Sequence, residues 1–217
     1  MGIGLVTRIN EKIKMIHLSD LDSNIYLIGN DTIVDSGTGL NFVRLYDVFK
    51  MLKLDFDSIN NIVNTHMHWD HIGGNGFFSN AKIHIHERDA PVLEKGDASM
   101  CNASYFSGKM KPMKVFRKLK EGDEIAGFKV IHTPGHTQGS ICLFDPKDKI
   151  LISGDTVFSD GVGRTDLPGG SEADLDKSMQ KIAALKMDKI LPGHGEPVLK
   201  AGDKAIKSIL TSVDEDI

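Results

Sequence analysis

The chain has 217 residues, a formal net charge of −4, 40% hydrophobic and 26% charged residues. That is enough chain for a sizeable core, as one domain or two fused halves, with the mix of an ordinary soluble globular protein. The negative balance, with no basic stripe, argues against a nucleic-acid partner, and no apolar run approaches the length of a membrane span.

In chain order, the start MGIGLVTRINEKIKM carries no apolar signal-peptide core, so a cytoplasmic protein is expected. Met1-Gly2 is not a lipidation signal, because position 6 is Val. SNIYLIG and DTIVDSG are short β-branched runs broken by Gly29-Asn30-Asp31, which predicts a hairpin. Phe42, Leu45, Tyr46, Phe49 and Leu52 follow at helical spacing and predict one apolar face. NNIVNTH reads as a buried strand, Asp70 to Asn75 as a turn into a short helix, and AKIHIHE as another strand. Residues 94–120 read as loop with a helical turn. FKVIHTP, SICLFDP and KILISGDTV predict three more strands. Ser171 opens a capped helix that continues through Leu175, Met179, Ile182 and Leu185. DKILPGHG is a last strand and turn, and residues 202–213 predict a closing helix.

Two cysteines, Cys101 and Cys142, do not make a disulfide framework. Cys142 lies in the apolar run SICLF and reads as packing; Cys101 lies in a polar loop and reads as a free thiol.

The densest chemical signal is Thr65-His66-Met67-His68-Trp69-Asp70-His71, an His-x-His-x-Asp-His cluster. Imidazole and carboxylate are ligands that borderline divalent metals prefer. His66 and His68 are two apart, so at a strand end both rings point to one side. Three isolated partners follow, each in a Gly/Pro-rich turn: His136 in HTPGHTQGS, Asp155 in LISGDTVF and His194 in LPGHGEP. Five imidazoles and two carboxylates are enough for two adjacent ions.

With THMHWDHIGGN, HTPGHTQGSICL, GDTVFSDGVGRTDLPGG and LPGHG, the chain resembles the metallo-β-lactamase-fold superfamily, and within it the glyoxalase II (hydroxyacylglutathione hydrolase)-like group. The resemblance runs from about Ser23 to Gly195. It implies an α/β fold, a four-layer αβ/βα sandwich of two mixed sheets between helices, as a single domain over 1–217 whose halves are roughly 1–120 and 121–217. It also implies that His66, His68 and His136 hold one metal, that Asp70, His71 and His194 hold a second, and that Asp155 bridges them. The ions are expected to be zinc, with iron or manganese open, and Asp70 is expected to orient the attacking water.

Other residues carry two readings each. His84 and His86 form a second His-x-His on one strand face, with no Asp-His after it, and read as structural or solvated. His132 is either a partner of a ligand or a packed strand-end histidine. Asp35 ends a strand and either orients a ligand histidine or shapes a turn. Arg164 and Asp166 pair in a loop, near the site entrance or for stability alone. Trp69 reads as packing.

The implied reaction is attack on a carbonyl by a metal-bound hydroxide. A thiolate, with a pKa near 8.5, leaves without a strong general acid, so a small-molecule thioester, S-acylglutathione included, is the expected substrate. Lactones and other activated esters remain open on the same fold. Only 22 residues follow Gly195, and the glutathione-gripping region of full-length glyoxalase II finds no clear match among Lys200, Lys204 and Lys207. The rival activity is persulfide dioxygenase, using one iron on His66, His136 and Asp155. A monomer or small homo-oligomer is expected.

Overall fold

The computed structural model describes residues 5–215; the Met1-Gly2 pair lies outside them. Among the described residues the architecture is α/β, with two mixed sheets. The chain divides into two units, Met1–Lys118 and Leu119–Ile217.

In the first unit the sheet runs in sequence order: β1 (Val6–Arg8), β2 (Ile13–Ile16), β3 (Ile25–Ile28), β4 (Thr32–Val34), β5 (Asn61–Val63), β6 (Lys82–His86) and β7 (Val115–Leu119). Strands β1 to β4 pair antiparallel, so β3 and β4 form the predicted hairpin. From β4 to β6 the pairing is parallel. Three parallel strands therefore end at one edge, and the segments that leave it begin at Asp35, at Asn64 and at Glu87.

Helix α1 (Phe42–Leu52) buries Leu45, Val48 and Phe49 against Ile33, Ile59, Ile62 and Phe78. Each such side chain stabilises the fold by about 1.5–3 kcal/mol. The buried stripe is rotated from the sequence expectation: Val48 is inside, while Tyr46 is 51% and Phe42 40% exposed. Phe42 still sets its ring 4.5 Å from that of Phe77, tilted by 52°, so the aromatic run forms a rim rather than a core face.

The stretch read as loop over 94–120 holds more structure than expected. Helix α3 (Ala90–Lys95) runs into it, a 3-10 turn spans Ala103–Phe106, and β7 lies inside it. Its lysines hid the strand, because β7 is exposed at Phe116, Arg117 and Lys118. Cys101 is fully buried in this segment, and burial pushes its thiol up. A short helix α2 (Trp69–Ile72) follows β5, with Trp69, Ile72, Ile85 and Leu93 in one buried cluster.

In the second unit the sheet order is β12-β11-β10-β9-β8, from β8 (Glu124–Ile125), β9 (Phe128–His132), β10 (Ile141–Asp145), β11 (Ile150–Gly154) and β12 (Lys189–Pro192). Since β10 is antiparallel to both β9 and β11, and β11 is parallel to β12, strands β9, β11 and β12 all point the same way. Their ends share one edge, from which the turns carrying His136, Asp155 and His194 depart. Helix α4 (Glu172–Ala183) buries Leu175, Met179 and Ile182, and helix α5 (Gly202–Glu215) adds Ile206 and Ile209 to the same core. The Ser171 side chain caps α4 by accepting from the Asp174 amide. Among the described residues no helix is long and apolar enough to cross a membrane.

His84 and His86 are buried, which removes the solvated reading. His84 bonds Asn61 Oδ1 through Nε2 at 3.1 Å, and among the described residues its Nδ1 has no hydrogen-bond partner. Burial, then the charges of Arg117 and Lys82, lower its pKa to about 4 from 6.5. The folded state therefore favours neutral His84, so its contribution is complete above pH 6.5 and is lost as pH falls from 6.5 to 4. Urea unfolding in the presence of chelator should show stability falling more steeply over that window in wild type than in His84→Gln. Parallel curves for the two proteins would refute it.

Candidate metal centre

The first unit gathers four of the predicted ligands where the chain leaves β5. Beyond Asn64, whose amide still donates to the His84 carbonyl, side chains take over the Thr65 and Met67 amides. Asp35 is central to this. It sits at the end of β4 with φ +60, a left-handed conformation that Asp tolerates better than most residues. From there its Oδ1 accepts the Thr65 amide at 2.8 Å, and its Oδ2 accepts the Thr65 hydroxyl at 2.8 Å and lies 2.8 Å from His71 Nδ1. The carboxylate is buried, and a carboxylate only accepts, so Nδ1 of His71 carries the proton and Nε2 keeps its lone pair outward.

His66 is set in a similar way. Its Nδ1 lies 3.1 Å from the Thr65 hydroxyl, and its Nε2 lies 3.1 Å from His68 Nδ1. Two facing imidazole nitrogens repel unless a proton or a cation shares their lone pairs. Ligands at 2.0–2.1 Å around a tetrahedral ion stand roughly 3.3 Å apart, so the pair fits shared coordination. The ligand atoms of His66 and His71, and of Asp70 and His71, lie within 4.8 Å of one another. Asp70 is the more open member, with 17% side-chain exposure, its Oδ2 3.8 Å from His71 Nε2.

A second buried network fixes the His71 backbone. Its carbonyl accepts from the Ser36 amide at 2.8 Å, the Ser36 hydroxyl at 3.1 Å and Asn64 Nδ2 at 3.3 Å. Asn75 completes it, donating to Asn64 Oδ1 at 2.8 Å and accepting from Ser36 at 2.8 Å. Sequence reasoning missed these three residues. The only signal for them was their position within two residues of a glycine or a ligand, which is shared by many others.

The second unit holds the remaining three. Asp155 Oδ2 lies 3.6 Å from His136 Nε2 and 3.6 Å from His194 Nε2, so two rings converge on one carboxylate oxygen. His136 is oriented from behind: its Nδ1–H donates to the Arg164 carbonyl at 2.7 Å. The turn that presents it is tied to α4, because the Ser171 amide donates to Gly135 O and Ser178 Oγ donates to Pro134 O. Gly163 packs flat on the Asp155 backbone, where a Cβ would stand 1.8 Å from the Asp155 carbonyl. No side chain fits there without moving Asp155.

The remaining predicted residues sit as follows. The Arg164 guanidinium and the Asp166 carboxylate form a two-pronged pair at 2.7 and 2.6 Å, exposed at 62% and 67%. That pairing holds the Asp166 carboxyl down at about 2. The part of this loop that meets a ligand is the Arg164 carbonyl. His132 Nε2 lies 3.0 Å from the Gln138 carbonyl, and its amide donates to Glu121. Trp69 is buried with its ring against Gly108, where a Cβ would lie 2.4 Å from Cε2.

The donor chemistry fits a divalent metal: His66, His71 and His136 each have one ring nitrogen held by an acceptor and the other presented, with carboxylates beside them at the strand ends. Comparison with known proteins agrees. The family model described as the metallo-beta-lactamase superfamily matches residues 18–194. A "Probable metallo-hydrolase" of Methanocaldococcus jannaschii is 34% identical over 80% of this chain and 88% of its own. An "Acyl-coenzyme A thioesterase MBLAC2" of Gallus gallus is 32% identical over 79% of this chain and 72% of its own. Among solved structures, TTHA1623 in a di-iron-bound form superimposes with a TM-score of 0.73 at 29% identity, covering 88% of this chain and 96% of that one. The BLEG-1 B3 metallo-beta-lactamase gives 0.73 at 30% identity, covering 88% and 95%. On the strength of the family match and these relatives, the chain belongs to the metallo-beta-lactamase superfamily and has its fold.

Proposed function

We propose that this metallo-hydrolase cleaves thioesters at a dinuclear centre, with His66, His68 and His136 on one ion, Asp70, His71 and His194 on the other, and Asp155 shared. The observation that carries the two-ion reading is the equal 3.6 Å approach of His136 and His194 to one Asp155 oxygen. A single iron on His66, His136 and Asp155 leaves His194 and the Asp35-oriented His71 without a task.

Two such ions, when bound, acidify a water and offset negative charge developing on a carbonyl oxygen. The chain's own part is to keep each ring in one tautomer: Asp35 does this for His71 and the Arg164 carbonyl for His136. Asp70 is assigned to accept a hydrogen bond from the incoming water; its being the most open of the first unit's ligand side chains supports that role. A thiolate leaving group needs no proton donor, which supports a thioester over an amide. The avian relative named as an acyl-CoA thioesterase supports the same class. Zinc suits the donor set, and the di-iron form of TTHA1623 keeps iron as the alternative.

The test is steady-state kinetics of the zinc-, iron- and manganese-loaded protein on an acyl-CoA, S-lactoylglutathione and a short acyl thiol. Oxygen uptake on glutathione persulfide is measured in parallel. Thioester turnover with two ions per chain is expected. Persulfide-dependent oxygen consumption with one iron, and no thioesterase activity with any metal, would assign the protein to the dioxygenases instead.

A further inference from the structure

We propose that Asp89, a residue outside the ligand motif, is a positioning residue for the His66–His68 pair and acts through the Met67 amide. Asp89 Oδ2 accepts the Met67 N–H at 3.0 Å. Met67 is the residue between the two histidines, so its amide sets the course of the backbone from one ring to the other. That course decides whether His66 Nε2 and His68 Nδ1 meet at 3.1 Å.

Three observations say that this bond is specific to the ligand loop. The first is what Asp89 forgoes. It stands at the N-cap of α3 (Ala90–Lys95), where an Asp ordinarily accepts from its own helix. Here it makes no side-chain capping bond, and its carboxylate goes to Met67. The second is burial: Asp89 is 1% and Met67 2% exposed, so water is not there to take over the amide. The third is topology. Strands β4, β5 and β6 are parallel and end at one edge. Asp35 follows β4 and holds the Thr65 amide; Asp89 follows β6 and holds the Met67 amide. The ligand loop, which follows β5, is gripped from the strand on each side. Asp35 reaches a ring as well; Asp89 takes the main-chain amide between the two rings, and a residue that accepts a backbone amide carries no ligand-motif signature.

The inference rests on the dinuclear reading, and its effect should fall on the ion held by His66 and His68. The experiment is cobalt titration, followed by equilibrium dialysis and by the visible absorption of the bound ion, on wild type and on three variants. Asp89→Ala should weaken one of the two ions about 10–100-fold, as loss of a residue that orients a ligand does, with the second ion little changed. Asp89→Asn keeps an acceptor oxygen for the Met67 amide and should hold both ions within a few-fold of wild type. Val92→Ala trims a buried residue of the same helix while leaving the acceptor of the Met67 amide in place, and should lower stability while leaving both affinities and the cobalt spectrum intact.

Equal weakening of both ions in Asp89→Ala, the same loss in Val92→Ala, or no rescue by Asp89→Asn would overturn the assignment. Should wild type bind a single ion, the dinuclear reading fails, and the same three-way comparison on that ion decides the role of Asp89.

Discussion

Asp155→Ala is expected to lower kcat for thioester hydrolysis by about three orders of magnitude or more. Metal clamping of a developing oxyanion contributes several kcal/mol, and about 1.4 kcal/mol corresponds to each tenfold in rate. Asp155 Oδ2 stands 3.6 Å from two ring nitrogens, so its loss removes a donor from both proposed ions at once. The partner variant is Lys204→Ala. Lys204 is an exposed side chain in the first turn of α5, and removing it should leave kcat within two- to three-fold of wild type. Steady-state kinetics with saturating metal compare the two. Equal losses of kcat would refute the shared-ligand role. Full activity of Asp155→Ala with two ions still bound would do so more directly.

The second large effect is at Asp35, where two variants separate fold from chemistry. Asp35→Ala strands the Thr65 amide and His71 Nδ1–H in a buried site. Removing one member of a buried charged pair or network typically costs about 3–5 kcal/mol. Asp35→Asn is subtler. Its carbonyl oxygen can still accept the Thr65 amide, but its NH2 group then faces His71 Nδ1. A donor there stabilises the ring with its proton on Nε2, the nitrogen that Asp35 otherwise leaves free. Asp35→Asn should therefore unfold near the wild-type urea midpoint while binding the ion held by His71 about 10–100-fold more weakly. NMR of the histidine side-chain nitrogens would show the tautomer change. An Asn variant with the wild-type tautomer and both ions at wild-type affinity would sink the argument.

These two residues also mark how far the sequence could be read. Asp155 was legible because ligand chemistry needs particular side chains in particular turns, and the turn glycines around it are visible in the letters. Asp35 was legible only as an aspartate at a strand end. Whether it met a ring or merely shaped a turn depended on β4 lying beside β5, a long-range pairing that short-range patterns do not encode. Asn64, Asn75 and Asp89 lay beyond reach for the same reason: Asn64 and Asp89 act on backbone groups, which leave no mark in sequence, and Asn75 acts on Asn64 and Ser36, which only the fold brings beside it. The elements themselves were mostly visible where periodicity was strong, as in β3, β4, β9 to β11 and α4. They were missed where strands were short or exposed, as in β1, β2, β7 and β8. Helix α1 was found but turned, because Phe42 and Tyr46 pack as a rim of rings on Phe56 and Phe77 rather than in the core.

The grip on His136 has a consequence for how this protein can change over generations. The acceptor is the carbonyl of Arg164, and every amino acid carries a carbonyl. The guanidinium, by contrast, faces solvent and spends itself on Asp166. Selection can therefore rewrite the side chains at 164 and 166 to suit a new substrate without loosening the imidazole. What it cannot rewrite is the path of the main chain, pinned at Gly163 against Asp155. The loop is free in its letters and fixed in its trace.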